Sequence, residues 1–155
     1  MRSFIEVLAG QAGRSRVVVD AGLDQALTEL DRAMERLGAA LEVEHVGPGV
    51  GMSDMGAEHV YRLVMRRHRW DVFTEGWGLK VCDALDNCEL RPMWPLQGTA
   101  RLRKRQVVRA LPDFFAGYLR AVAEVGKADT AAGCELRDIA EALARARDRC
   151  PEAPS

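Results

Sequence analysis

The stretch WDVFTEGWGLKVCDALDNCELRPMWPL, Trp70 to Leu96, decides the fold class of this chain. It holds all three tryptophans (Trp70, Trp77, Trp94) and two of the four cysteines (Cys82, Cys88). Trp77-Gly78-Leu79-Lys80-Val81-Cys82 alternates in polarity. Trp77, Leu79 and Val81 therefore share one side of a strand, and Gly78, Lys80 and Cys82 the other. Ala84 to Asn87 reads as a turn and Cys88-Glu89-Leu90-Arg91 as the returning strand. Pro92 has no ladder donor, so the return is expected to end there. That leaves Pro92-Met93-Trp94-Pro95 as an extended segment covering an edge or rim.

Toward the N-terminus, His59 to Val72 carries alternating Tyr61, Leu63 and Met65, which favours a further strand over a helix. The segment 46–56, VGPGVGMSDMG, has four glycines and a proline and reads as a mobile loop. Its Gly47–Gly51 run lacks the Lys-Ser/Thr ending and the spacing of a phosphate-cradling loop. Before it, Leu23, Leu27, Leu30, Met34, Leu37 and Leu41 recur at spacings of 4, 3, 4, 3 and 4. That is one helical stripe, with Asp20 placed as its N-cap and Gly38 as either a break or a tolerated interior glycine. The stripe predicts packing on the chain's own sheet, with a dimer seam as the alternative. Residues 2–9 fit a short helix or a strand, and Arg16–Val19 a strand or the lead-in to the next helix.

Toward the C-terminus, Thr99 is a suitable N-cap for a short basic helix over 100–110. Pro112 suits the first turn of a second helix over 112–126, ending at Gly126. A last helix over 134–149 buries Leu136, Ile139, Ala140 and Leu143, and 151–155 is a frayed tail. The expectation is an α+β fold in one domain, 1–155. A small antiparallel sheet at about 59–91 would be packed by the N-terminal amphipathic helix and two or three C-terminal helices.

With 155 residues, 48% apolar and 29% charged, the composition is that of a globular domain with its own core. A net charge of −1 argues against a protein that acts as a polycation throughout. Charge is unevenly placed. Residues 20–44 carry seven acids against two arginines, whereas 62–69 and 101–109 are basic and contain no acid. The N-terminal apolar run is short and interrupted by Glu6, so a soluble, cytoplasmic protein with reduced thiols is expected.

Motifs that carry chemistry are scarce. Cys82 and Cys88 flank the expected turn, but C-x5-C is not zinc-knuckle spacing, and Cys134 and Cys150 lie too far apart along a helix to share an ion. No metal and no cofactor is expected. His45, His59 and His68 form no metal or catalytic pair, and Ser53 lacks the glycine that a nucleophile elbow needs at position 55. A surface histidine is the favoured reading of His68. The basic segments are more informative. Arg101, Arg105 and Arg109 fall at i, i+4 and i+8 and make one guanidinium stripe, with Arg103 and Lys104 beside it. A solvated face pairing the acidic 20–44 helix is the favoured reading of that stripe. Trp77 reads as core, and Trp94 between prolines as partly exposed.

The expected function is that of a small cytoplasmic accessory or regulatory protein, non-catalytic, binding a protein partner or a small ligand. Its contact residues would be Arg91, Met93, Trp94, Arg101, Arg105 and Arg109. The first alternative is a nucleic-acid-binding regulator using the 101–109 helix, which with Pro112 and the following helix could form a helix-turn-helix. The second is a small enzyme with a cleft near His68, Asp71 and Cys82. No membrane contact is expected, and homodimerisation stays open.

Overall fold

A computed structural model describes residues 3–52, 60–69, 71–84 and 90–149. The expected tail 151–155, the turn residues 85–87 and the 53–56 part of the glycine-rich segment lie outside the described residues. So do Ser53, His59, Trp70, Cys88 and Cys150. The element order is α1 (Phe4–Ala12), α2 (Ala21–Leu41), β1 (His45–Met52), β2 (Val60–Arg69), β3 (Glu75–Ala84) and β4 (Leu90–Pro95). A 3-10 turn (Leu96–Gly98) then leads to α3 (Arg101–Glu124) and α4 (Ala131–Arg149). The fold is α+β, with one antiparallel sheet in the order β1-β2-β3-β4.

The helices lie where their apolar faces require. Ser3 and Glu6 close a reciprocal capping box on α1, which settles residues 4–9 as helix. Between α1 and α2 the Arg16–Val19 segment is a non-strand lead-in, with Val17 and Val19 buried and Val18 exposed. Asp20 caps α2, its Oδ1 accepting from the Leu23 amide at 2.9 Å. All six stripe residues of α2 are buried within the chain's own core, so a dimer seam along that stripe is already filled. Gly38 stays inside the helix. A Cβ there would lie 2.8 Å from Trp77 Cβ and closer still to Met65 Cε, so α2 touches the sheet through a position that must be bare. The helix ends at Glu42, which adopts a left-handed φ of 53° and donates its amide to the Gly38 carbonyl.

Four expectations are corrected. The glycine-rich segment from 46 to 52 is not a loop but part of the edge strand β1, so the sheet extends beyond 59–91 to His45–Pro95. An edge strand tolerates Pro48 because one side of its ladder is unpaired, and the register shifts on either side of Gly49 absorb the irregularity. At Gly47 a side chain would collide with Phe114 of α3, so glycine here serves helix approach. Pro92 likewise does not end β4. The strand runs on to Pro95 as the opposite edge, with a register shift that pairs Cys82 with Pro92 and Val81 with Trp94. Finally, α3 is one helix through Pro112 rather than two. Burial of Leu111, Phe114 and Phe115 around the proline outweighs the lost amide bond, and no helix-turn-helix break forms. Thr99 is not the cap either. Its hydroxyl donates to the Leu96 carbonyl at 3.0 Å, and Ala100 precedes α3 without a side-chain cap.

Both α2 and α3 pack against the sheet, α2 mainly over β3 and α3 mainly over β1, with α1 and α4 stacked behind them. Tyr61, Leu63 and Met65 of β2 and Leu79 and Val81 of β3 face the helices. Leu136, Ile139, Ala140 and Leu143 close the core from α4 as their spacing predicts. No helix among the described residues is long and apolar enough to cross a membrane. Gly38→Val should force α2 off β3 and cost on the order of 2 kcal/mol in urea unfolding, whereas Gly10→Ala, where nothing lies within 4 Å, should not destabilise.

Candidate binding surface

The first half of α3 carries the predicted guanidinium stripe, and the structure gives most of it intramolecular tasks. Arg101 donates to the Val19 carbonyl at 3.2 Å, and Arg109 donates to the Ser15 carbonyl. Both acceptors belong to the α1–α2 linker, whose carbonyls have no strand or helix ladder to satisfy them. Lys104 pairs with Asp24 of α2 at 2.8 Å. That is the expected pairing of the basic face with the acidic helix, made by one residue of it. Arg103 donates to the Val50 carbonyl of β1 and to Gln106 Oε1. Arg105 differs: its Nε is shielded from solvent and has no hydrogen-bond partner. It lines a cleft of about 300 Å³ with Arg16, Val17, Val18, Val19 and Arg101.

The other predicted group, the β4 rim, reaches α3 through an aromatic relay. Trp94 is half-buried and meets Tyr61 edge-on, with centroids 5.4 Å apart. The Arg103 guanidinium lies 4.2 Å over the other partner in that relay, the Tyr61 ring. Trp94 thus belongs to the core margin while retaining some exposure, and Trp77 is likewise only partly buried against the core. Arg91 is exposed opposite Asp83. The side chain of Met93 lies outside the described residues. The structure therefore brings Trp94, Arg103 and the start of α3 together, and Arg109 lies two turns further along the helix at the linker. Tyr61, which joins the rim to the helix, is the site residue the sequence reading missed. Its only prior signal was an aromatic at an inward strand position.

The residues named for a catalytic cleft do not converge. His68 pairs across the ladder with Gly76 and Cys82 with Arg62. Six residues of β3 separate those positions, roughly 20 Å at strand rise. His68 is buried, not a surface residue. Its Nε2 faces the carbonyls of Gly78 at 3.1 Å and Val64 at 3.4 Å, so that nitrogen carries the proton. Burial lowers its pKa to about 4, against those two hydrogen bonds, and keeps the ring neutral. Burial pushes the Cys82 thiol up to about 12, the opposite of nucleophile activation. Asp71 is exposed and accepts from the amides of Phe73 and Thr74, which hold its carboxylate below the ordinary range and fix the β2–β3 turn. Among the described residues, no three His, Cys, Asp or Glu side chains gather as metal ligands.

One perturbed acid escaped the sequence reading. Asp31 belongs to the acidic helix yet is only 4% exposed, because it sits four residues after Leu27 and three before Met34 on the buried side. That spacing was a legible signal. Its carboxyl faces the backbone amides of Leu96 and Gln97 without closing a well-formed hydrogen bond. Burial raises its pKa to about 7, with Lys80 opposing and Glu35 adding to the shift.

The chain matches no protein-family model, and no curated protein or solved structure matches it at a significant level.

These two buried groups give opposite pH dependences. Asp31 holds its proton more tightly folded than unfolded, so stability from this group is full below pH 3.8 and falls as pH rises to about 7. His68 holds its proton less tightly folded, so its contribution is lost as pH falls from 6.5 to about 4. In thermal melts, Asp31→Asn should match the parent at pH 4 and exceed it progressively up to pH 8, with a gain of at most roughly 4 kcal/mol. A constant offset across that range would show that Asp31 is not titrating in the fold.

Proposed function

We propose that this is a small, non-catalytic accessory protein that holds a partner protein or a small ligand on the β4 rim and the first turns of α3. The observation that carries the reading is the Arg103–Tyr61–Trp94 relay, which fixes the rim to the helix. Around it, Arg91 and Arg101 are exposed and Leu102 is 64% exposed. Arginine, an aromatic ring and an uncovered aliphatic side chain are the mixture that binding hot spots favour. The dispersed and deactivated His68, Asp71 and Cys82 support a non-catalytic role. An exposed Cys134 suits a reducing, cytoplasmic setting.

Nucleic acid is the competing ligand, through Arg101, Arg103, Lys104, Arg105 and Arg109. Against it, the strand alternation puts Arg62 and Arg66 on the side of the sheet away from α3, while Arg67 pairs with Glu75 and Arg69 donates to the Asp71 and Val72 carbonyls of the β2–β3 turn. Two measurements separate the readings. A photo-crosslinking residue at Leu102 or Arg91 should trap a discrete product in cells, and one at Asp138 on α4 should not. Equal crosslinking from all three positions would remove the partner surface. Binding to mixed-sequence DNA or RNA that falls steeply between two salt concentrations, and is lost in an Arg101→Ala/Arg105→Ala variant, would instead establish the nucleic-acid reading.

A further inference from the structure

We propose that the cleft between the α1–α2 linker and the first turns of α3 binds the phosphoryl group of a small molecule. The proposal deepens the binding role assigned to this end of the protein by giving the ligand a charge class, and it shares Arg101 and Arg105 with that role.

The cleft is lined by Arg16, Arg101 and Arg105 and by Val17, Val18 and Val19, with no acidic side chain in its wall. Asp20 accepts from the Leu23 amide as the α2 cap and Asp24 pairs with Lys104, and neither lines the cleft. Three arginines lining one cleft with no acid in its wall repel one another, and an oxyanion relieves that repulsion. Arg101 is held in place by its bond to the Val19 carbonyl, and its remaining N–H groups stay available as donors. Arg105 has an unsatisfied Nε. An anion that draws its guanidinium edge toward the cleft supplies the missing acceptor. Val17 and Val19 are buried beneath, which lowers the local dielectric and strengthens charge-assisted bonds. The amides at the start of α3 have no side-chain cap and add favourable dipole for negative charge at that end. A volume of about 300 Å³ fits a small ligand rather than a large cofactor. Planar, paired N–H donors suit phosphoryl oxygens better than a halide, which offers a single spherical acceptor.

The test is an amide NMR titration of the full chain with inorganic phosphate, with chloride and acetate at matched ionic strength as comparison arms. Phosphate should give saturable shifts confined to Val17–Val19 and Arg101–Arg105, with acetate at least tenfold weaker and chloride without a saturable response. Arg105→Gln should weaken phosphate binding by about tenfold or more, and Arg105→Lys should recover part of it. Should Arg105→Gln fail to fold, Arg16→Gln, on an exposed residue, serves the same purpose. Shifts that merely follow ionic strength, or saturation unchanged in both glutamine variants, would overturn the proposal. Crosslinking from Leu102 and Arg91 reads the partner surface separately. Its persistence in Arg16→Gln would leave that surface standing without the phosphoryl site, and its absence beside intact phosphate binding would do the reverse.

Discussion

The close approach of α2 to β3 at Gly38 is the contact on which the other placements depend. Because no side chain intervenes, α2 seats on Met65 and Trp77 at Gly38, and its six-residue apolar stripe is sealed from solvent in the core. Seating the helix there carries Asp31 over the Leu96–Gln97 turn and brings Glu35 within 3.9 Å of the buried Lys80 ammonium. It also leaves the outer flank of α2 to α4, where Arg36 bridges to Glu135 with two hydrogen bonds. A stripe of leucines supplies burial area. The bare glycine sets the distance at which that area becomes close-packed.

The second organising theme is the use of arginine as a donor to main-chain carbonyls. The α1–α2 linker runs without strand pairing, and β1 is an irregular edge, so both present acceptors that no ladder satisfies. Arg109 serves Ser15, Arg101 serves Val19, Arg103 serves Val50 and Arg62 serves Gly47. Exposed cations read from sequence as a ligand surface are thus in part the hydrogen-bonding complement of irregular backbone. The proposed functions draw on arginines outside this duty, Arg16 and Arg105 beside the cleft and Arg91 on the rim, together with the Arg103 ring contact and the remaining donors of Arg101. Both sheet edges carry proline, which blunts strand addition and turns attention from the edges to the helix face.

Arg101, Arg105 and Arg109 were visible as an i, i+4, i+8 stripe, since helical spacing alone puts them together. Their partners were not, because Ser15 and Val19 are some ninety and eighty residues away in sequence and act through carbonyls that every residue type shares. Trp94 was singled out for its proline-flanked setting. Its edge contact with Tyr61 depends on β2, β3 and β4 pairing in one particular register. The flanking arginines of His68 suggest water, yet on the same sheet face as Arg62 and Arg66 its ring is buried, with Nε2 against the Val64 and Gly78 carbonyls, a placement that strand alternation alone does not reveal. Asp31 is legible on α2 only through its spacing from Leu27 and Met34, which puts it on the buried side of an otherwise acidic helix.

The sequence by itself determined the α+β class, the core-facing stripe of α2, the β3 strand and the buried face of α4. Each of these follows from a local period, 3.6 for a helix and 2 for a strand, that any short window displays. Tertiary structure alone decided the extent of the sheet and the continuity of α3. Gly47-Pro48-Gly49-Val50-Gly51 has poor intrinsic strand preference, yet it pairs with β2 because the edge position forgives its proline and Phe114 needs the space at Gly47. Pro112 is a helix breaker in isolation, yet α3 runs through it because Leu111, Phe114 and Phe115 gain more by burial on one straight face than a broken helix would keep. The propensity cost in a helix is about 1 kcal/mol for a glycine and about 3 for a proline, and burial of several large side chains exceeds it only once the rest of the chain is there to receive them.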